Sequence, residues 1–310
     1  RCPSPPHRRY RAGSGRDIVG LGCENNSLEG IRQALSPFQR DNMAFLNCQE
    51  AEDELAAGLE ILKGFAEKAR GLRREQAPLS KLRIGLKCGG SDGYSGLTAN
   101  PLVGQVTDWV IAAGGSAVLT EVPEMFGAEQ LLMDRCASRE VFEDYRGLIL
   151  RFQKYYTDLG FPVYENPSPG NKAGGITTLE EKSLGCVKKG GSAPIVEVLP
   201  YGGRASKPGL AVLEGPGNDL ISSTALGAAG CQLVLFTTGR GTPFSTFVPT
   251  LKIASNSGLA GRKGSWIDFD AAPGDGEALY RLVLDTASGA YRCKSEGFQE
   301  IAFHKTGVTL

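Results

Sequence analysis

Most residues able to do chemistry fall in five loops: GLGCENN at 20–26, CGGSD at 88–92, TEVPE at 120–124, ENPSPGNKAGG at 165–175 and TTGRGTP at 237–243. They offer the thiols of Cys23 and Cys88, the carboxylates of Glu24, Asp92, Glu121 and Glu124, and the cations Lys172 and Arg240. Thiolates and carboxylates together suit iron(II), manganese or zinc, so Cys23 or Cys88 beside one of these acids is a candidate ligand set. Lys172 lies in a Gly-rich loop, where a lysine is commonly solvated but can also bind a carboxylate or, desolvated, act as a base. Arg240 between two glycines can approach an anion closely and hold it with a fork of donors. The only histidines are His7 and His304, so this chain offers no histidine cluster, and a catalytic histidine would have to be His304 or lie in a segment not present.

Four of these loops directly follow an apolar run, and the elements around them alternate. Residues 17–75 read as strand, helix, strand, helix, with Leu55, Leu59, Leu62, Ala66, Ala69 and Leu72 on one helical face. The charged, Pro-containing stretch around Pro78 marks a boundary. From Leu82 the order is strand LRIGLK, Gly-rich loop, helix through TDWVIAAGG, strand SAVLTE, and a helix with Phe142, Tyr145, Ile149, Phe152 and Tyr156 at helical spacing. Helix TLEEKSLGCVKK, strands APIVEVL and LAVLE, helix NDLISSTALGAAG, strand CQLVLFTT and a late helix near EALYRLVLDTASG follow. Apolar strands alternating with amphipathic helices predict an α/β fold: a largely parallel sheet with helices on both faces, a Rossmann-like three-layer arrangement, plus a small truncated α/β unit at the N-terminus. In such sheets ligands bind beyond the carboxyl ends of the strands, where these loops are. The expected division is 1–16 as a disordered stretch or remnant, 17–78 as the truncated unit and 79–310 as the C-terminal catalytic domain.

Composition excludes several classes. Lys+Arg and Asp+Glu are equal at 34 each, so no general attraction to nucleic acid or anionic membrane exists. No apolar run reaches the roughly 18–20 residues of a membrane span. A cytoplasmic setting is therefore expected. The eight cysteines lack C-x-x-C spacing and read as reduced thiols; Cys48, Cys136, Cys186 and Cys231 are expected to be small buried hydrophobes, Cys2 and Cys293 surface residues. Glu180, Glu181 and Lys182 read as a solvated first helical turn. Neither a dinucleotide or P-loop glycine fingerprint nor a nucleophile elbow is present.

The ordered strings GLGCENN, GLKCGGSDGYSGLTANPLVG, LTEVPEMFGAEQLLM, YENPSPGNKAGGITTLEEKSLGCVKKGG, GPGND and LFTTGRGTPF resemble the altronate/galactarate dehydratase family over residues 17–310. LTEVPEMFGAE, the unbroken ENPSPGNKAGGITTLEEKSLGCV and the ending GVTL resemble its altronate-acting branch more than the galactarate dehydratases or sulfolactate sulfo-lyases. The resemblance implies a hydro-lyase converting D-altronate to 2-dehydro-3-deoxy-D-gluconate in galacturonate breakdown. It also implies dependence on a divalent metal, iron(II) first and manganese(II) second. One alternative is a related lyase, a galactarate dehydratase or a sulfolactate sulfo-lyase subunit; family members also carry a β-rich N-terminal domain and a His/Gly/Cys-rich segment where this chain has RCPSPPHRRYRAGSGR, so a non-catalytic sugar-acid-binding or assembly fragment is the other. On this reading the metal goes to Cys23, Cys88 and Glu24, with Asp92 as another possible ligand. Acid and base roles go to Lys172, Glu121 and Glu124. Arg240 holds the substrate carboxylate, and Ser91, Asp92, Asn166, Asn171, Thr238 and Thr242 contact the substrate. The partner is thus a small sugar acid, with no nucleic acid and no membrane, and a homo-oligomer is compatible with all of this.

Overall fold

The computed structural model describes residues 18–22, 29, 32–33, 35, 43–163, 166–297 and 299–304. The chain divides into two compact units, and the one carrying most of the candidate loops is Pro78–His304.

Its frame is a seven-stranded sheet whose paired strands are all parallel, in the order β5-β6-β4-β3-β7-β8-β9. The strands are β3 (Arg83–Cys88), β4 (Ser116–Leu119), β5 (Ile195–Leu199), β6 (Gly209–Leu213), β7 (Leu233–Thr238), β8 (Thr250–Ala254) and β9 (Phe269–Asp270). Because successive strand residues point to opposite faces, the in-register row Val212, Leu119, Leu86, Leu235 and Leu251 faces one side. That row packs with Leu102, Val103 and Val106 of helix Ala99–Ala112, Tyr145, Ile149 and Phe152 of helix Arg139–Asp158, and Leu279 and Val283 of helix Gly276–Ser288. The other parity, Val118, Ala211, Val234 and Phe236, packs with Ala225 and Leu226 of helix Asp219–Ala228. Both faces are thus covered, which is why the strands read as near-continuous apolar runs.

β8, β9 and helix Ser257–Arg262 fall where the sequence suggested only loop and late helix. Lys252 interrupts β8, yet it is fully buried, stacked 4.0 Å from the Phe236 ring centroid and 4.2 Å from that of Phe244, with no hydrogen-bond partner for its Nζ. Burial pulls its pKa down to about 7. The ring faces favour the charged form by about 0.5–2 kcal/mol, less than the desolvation they oppose. Since the unfolded chain holds this proton up to about 10.5, the contribution of Lys252 makes stability rise with pH between about 7 and 10.5, with the full penalty felt below that window. Lys252→Met should therefore be neutral or stabilising by up to about 4 kcal/mol at pH 6. Urea unfolding across this range should show a shallower pH slope than the parent; an unchanged slope would contradict the assignment.

In the other unit, β1 (Ile18–Gly22) pairs in parallel with β2 (Met43–Asn47), and helix Glu54–Arg70 starts at an Asp53 cap whose side chain accepts from the Ala56 N–H. Of the residues expected on one helical face, Leu55, Leu59 and Leu62 are 80%, 54% and 53% exposed, and Phe65 is the buried residue of this helix. A two-stranded sheet is too small to cover a full amphipathic helix. Cys293, expected at the surface, is buried, beside the helix-covered sheet core. No helix of the described residues is long and apolar enough to cross a membrane.

Candidate active site

From β3 the chain first adds β4 on one side, and later β7 on the other, so the carboxyl end of β3 lies at a switch point where an open parallel sheet leaves a crevice. Cys88 is the last residue of β3. Beyond β4, Glu121 adopts a left-handed backbone (φ 72°, ψ 62°) and leads into the 3-10 turn Val122–Met125, which carries Glu124. It is the only non-glycine with positive φ among the described residues, a conformation costing about 1–3 kcal/mol, which marks a backbone held by its surroundings. Asp219 opens the helix after β6, and Arg240 follows β7. Helix Leu179–Val187 presents Lys182 and Cys186 one turn apart, and the following 3-10 turn presents Lys189.

These groups meet in one polar cluster beneath a cavity of about 380 Å³. Lys87 Nζ pairs with the Glu121 carboxylate and lies 2.8 Å from Asp219 Oδ1. Glu121 Oε2 accepts the Cys88 N–H at 2.9 Å and lies 3.6 Å from Lys189 Nζ. Cys88 Sγ is 3.4 Å from Cys186 Sγ, and Cys186 Sγ donates to Glu124 Oε2 at 3.3 Å. Lys182 Nζ is 3.1 Å from the same Glu124 oxygen. Two glycines make room: a side chain at Gly89 would collide with the Asp219 carboxylate, and one at Gly170 with the Arg240 guanidinium.

The charges are strongly coupled. Burial alone would lower all three lysines, but adjacent anions hold each above the ordinary lysine value: Glu121 and Asp219 for Lys87, Glu124 and the Cys88 thiolate for Lys182, the Cys88 thiolate and Glu121 for Lys189. The Cys186 hydrogen bond and then the Lys189, Lys182 and Lys87 ammoniums hold the Cys88 thiol well below its usual range, against the opposing effect of burial. The Cys186 thiol is pushed up by its bond to Cys88 and by burial. Burial and the Cys88 thiolate push Glu121 up to about 8 against the pull of Lys87 and Lys189. The arrangement is a cation-rich, dehydrated nest with one thiolate and a carboxyl that can hold a proton, suited to a substrate in which negative charge develops.

A family profile described as D-galactarate/Altronate dehydratase, C-terminal, matches residues 79–309. The chain belongs to the D-galactarate/altronate dehydratase family. It is 53% identical over 312 residues to the altronate dehydratase of Bacillus subtilis (strain 168), covering 97% of this chain and 63% of that protein. It is 51% identical over 302 residues to the altronate dehydratase of Escherichia coli (strain K12), covering 94% and 61%. With the galactarate dehydratase (L-threo-forming) of Escherichia coli (strain K12) it shares 34% over 297 residues, covering 90% and 57%. The chain thus spans about three fifths of the length of these curated relatives.

In this family member the structure brings together Cys88, Glu124, Asn166, Asn171 and Arg240 on the cavity wall, together with Tyr156, Ser168, Lys182 and Asp219. Asn166 Nδ2 is buried without a protein partner, as is Ser91 Oγ. Asn171 also serves the backbone: its Oδ1 accepts from Ser168 at the N-cap of the short helix Pro169–Ala173, and its Nδ2 donates to Ser91 O at 2.9 Å. Glu121 is buried behind Cys88 and is not part of the wall. Asp92 is held by Ser95, Ser255 and Asn256, and Thr238 Oγ1 accepts the Gly241 N–H at 2.8 Å, so both shape their loops. Lys172 is exposed and Thr242 partly so, and neither is on the wall. His304 packs against Tyr155 and Tyr201, also off the wall. Cys23 and Glu24 lie outside the described residues.

Lys87, Lys189 and Asp219 were not singled out by sequence; Lys182, expected to be solvated, is buried against Glu124, and Cys186, expected to be only a small buried hydrophobe, contacts Cys88 and Glu124. The available signals were a lysine inside an apolar strand and the four-residue spacing of Lys182 and Cys186 on a helix whose exposed face looks equally polar.

The donor chemistry does not make a metal centre from the described residues. No group of three or more His, Cys, Asp or Glu among them could hold an ion. The acids nearest Cys88 already carry ammonium partners, and three lysines beside the thiols would repel a divalent cation.

Proposed function

We propose that this chain carries the substrate pocket of a sugar-acid hydro-lyase that dehydrates D-altronate to 2-dehydro-3-deoxy-D-gluconate. The observation carrying this reading is the pairing of Lys182 with Glu124 on the wall of a cavity that also bears Arg240. Removing the proton beside a carboxylate needs a base and nearby positive charge to hold the developing enediolate. Glu124 is the candidate base, with Lys182 stabilising the charge that forms. Arg240 holds the substrate carboxylate, and Asn166, with its unpaired Nδ2, donates to a substrate hydroxyl. Loss of the hydroxyl as water requires a proton, which Glu124 can return once it has taken one. The curated altronate dehydratases at 53% and 51% identity, against 34% for the galactarate dehydratase, favour the altronate reading. The free thiols of the described cysteines suit a reducing cytoplasm. A divalent ion, iron(II) or manganese(II), enters this proposal only through ligands outside the described residues, Cys23 and Glu24 among them.

The test is a 2-keto-acid assay on D-altronate and galactarate, with and without chelator. It compares this chain with a chain extended by the further segment its relatives carry. Turnover of D-altronate should exceed that of galactarate, and Arg240→Ala should raise KM about tenfold to a hundredfold, the worth of a hydrogen bond to a charged group. No keto acid from either chain, with iron(II) supplied, would remove this reading.

A further inference from the structure

The thiol pair at the floor of the cavity has a chemistry independent of dehydration. We propose that Cys88 and Cys186 form a dithiol modification site that consumes a hydroperoxide and closes to a disulfide. Their sulfurs are 3.4 Å apart, the only thiol–thiol contact among the described residues. A disulfide requires about 2.05 Å, so closure needs a relative movement of about 1.4 Å. The two thiols come from different elements, the end of β3 and the last turn of helix Leu179–Val187, so a bond would tie that helix to the carboxyl end of the central strand.

Access and proton handling are both provided. Each residue is almost fully buried, but Cys88 lines the cavity, so a small oxidant can reach its sulfur by the route open to a substrate. Attack of the Cys88 sulfur on the peroxide breaks the O–O bond, giving a sulfenic acid at Cys88 and hydroxide, which takes a proton from solvent in the cavity and leaves as one water. Cys186 Sγ then attacks the Cys88 sulfur, forming the S–S bond and expelling the hydroxyl as a second water. Glu124, to which the Cys186 thiol already donates at 3.3 Å, takes its proton and passes it to the departing hydroxide, which completes that water. Two electrons leave the thiols and reduce one peroxide. The remaining described cysteines, Cys48, Cys136, Cys231 and Cys293, have no thiol neighbour with which to close, so the site is specific by geometry.

The experiment treats the reduced chain with one equivalent of hydrogen peroxide, blocks residual thiols, and maps disulfides by peptide mass spectrometry. A mass loss of about 2 Da and a Cys88–Cys186 cross-link, both reversed by dithiothreitol, are expected. Cys231→Ser should leave the cross-link intact. Cys186→Ser should abolish it and, with the peroxide raised to at least two equivalents, drive Cys88 on to the sulfinic state, about 32 Da heavier. Recovery of Cys88 and Cys186 as free thiols while oxidation falls elsewhere, or cross-links scattered among other cysteines at similar yield, would overturn the proposal. The wild-type map decides alone if the Cys186 variant does not fold. Because the readout is sulfur chemistry, it stands or falls separately from the dehydratase reading.

Discussion

Changing Lys87 to methionine should cost about 3–5 kcal/mol of folding stability, the largest single effect expected here. Lys87 is fully buried and serves Glu121, Asp219 and the Cys88 and Gly217 carbonyls at once. Without it, Glu121 keeps Lys189 at 3.6 Å and the Cys88 N–H, and Asp219 loses its paired cation. The cost is that of stranding acids beside a closed core, not of losing one contact. A Lys87→Met, Glu121→Gln double variant should recover most of it, because the stranded charge goes too. Urea unfolding of the two singles and the double gives the coupling directly. A single-variant loss under about 1 kcal/mol, or a double that adds, would mean that the pair does not hold the carboxyl end of β3 in place.

The second large effect is on turnover. Glu124→Gln keeps the shape of the side chain and its hydrogen bonding but removes its capacity to take a proton. In the proposed reaction it should lower kcat by about 10²–10⁴-fold, the usual worth of a positioned acid–base group. Lys182→Met should lower kcat by about 10²–10³-fold, since it removes charge stabilisation that matters most as the enediolate forms. KM on D-altronate should move far less in both, because Arg240 and Asn166 still hold the ground state. The contrast with Arg240→Ala, where KM carries the change, separates chemistry from binding. If Glu124→Gln retained kcat within about threefold, proton transfer would have to be assigned to another group.

The sequence alone carried the architecture, because it is a matter of period. Runs such as Ile84 to Leu86 and Leu233 to Phe236 are apolar on both parities, which only a sheet covered on both faces tolerates, and amphipathic helices such as Arg139–Asp158 supply the cover. The same logic placed Gly-rich loops at the strand ends, and with them Cys88, Glu124 and Arg240, which line the cavity; Asn166 and Asn171 line it from the longer loop that follows no strand directly. β8 was lost because Lys252 interrupts its apolar run, and only the contact with Phe236 and Phe244 shows how a lysine is accommodated there.

What the tertiary structure alone decided is which polar residues are inside. Nothing local distinguishes Lys182 and Lys189 from Lys172, which is solvent-exposed, and Lys87 is marked only by its place in an apolar strand. Their burial depends on Glu121, Glu124 and the two thiols arriving from elements 30 to 100 residues away, as the Lys87–Glu121 and Cys88–Cys186 contacts do. A lone charge cannot leave water, whereas a cluster of opposite charges can, and the members of such a cluster are chosen by the fold rather than by sequence neighbours.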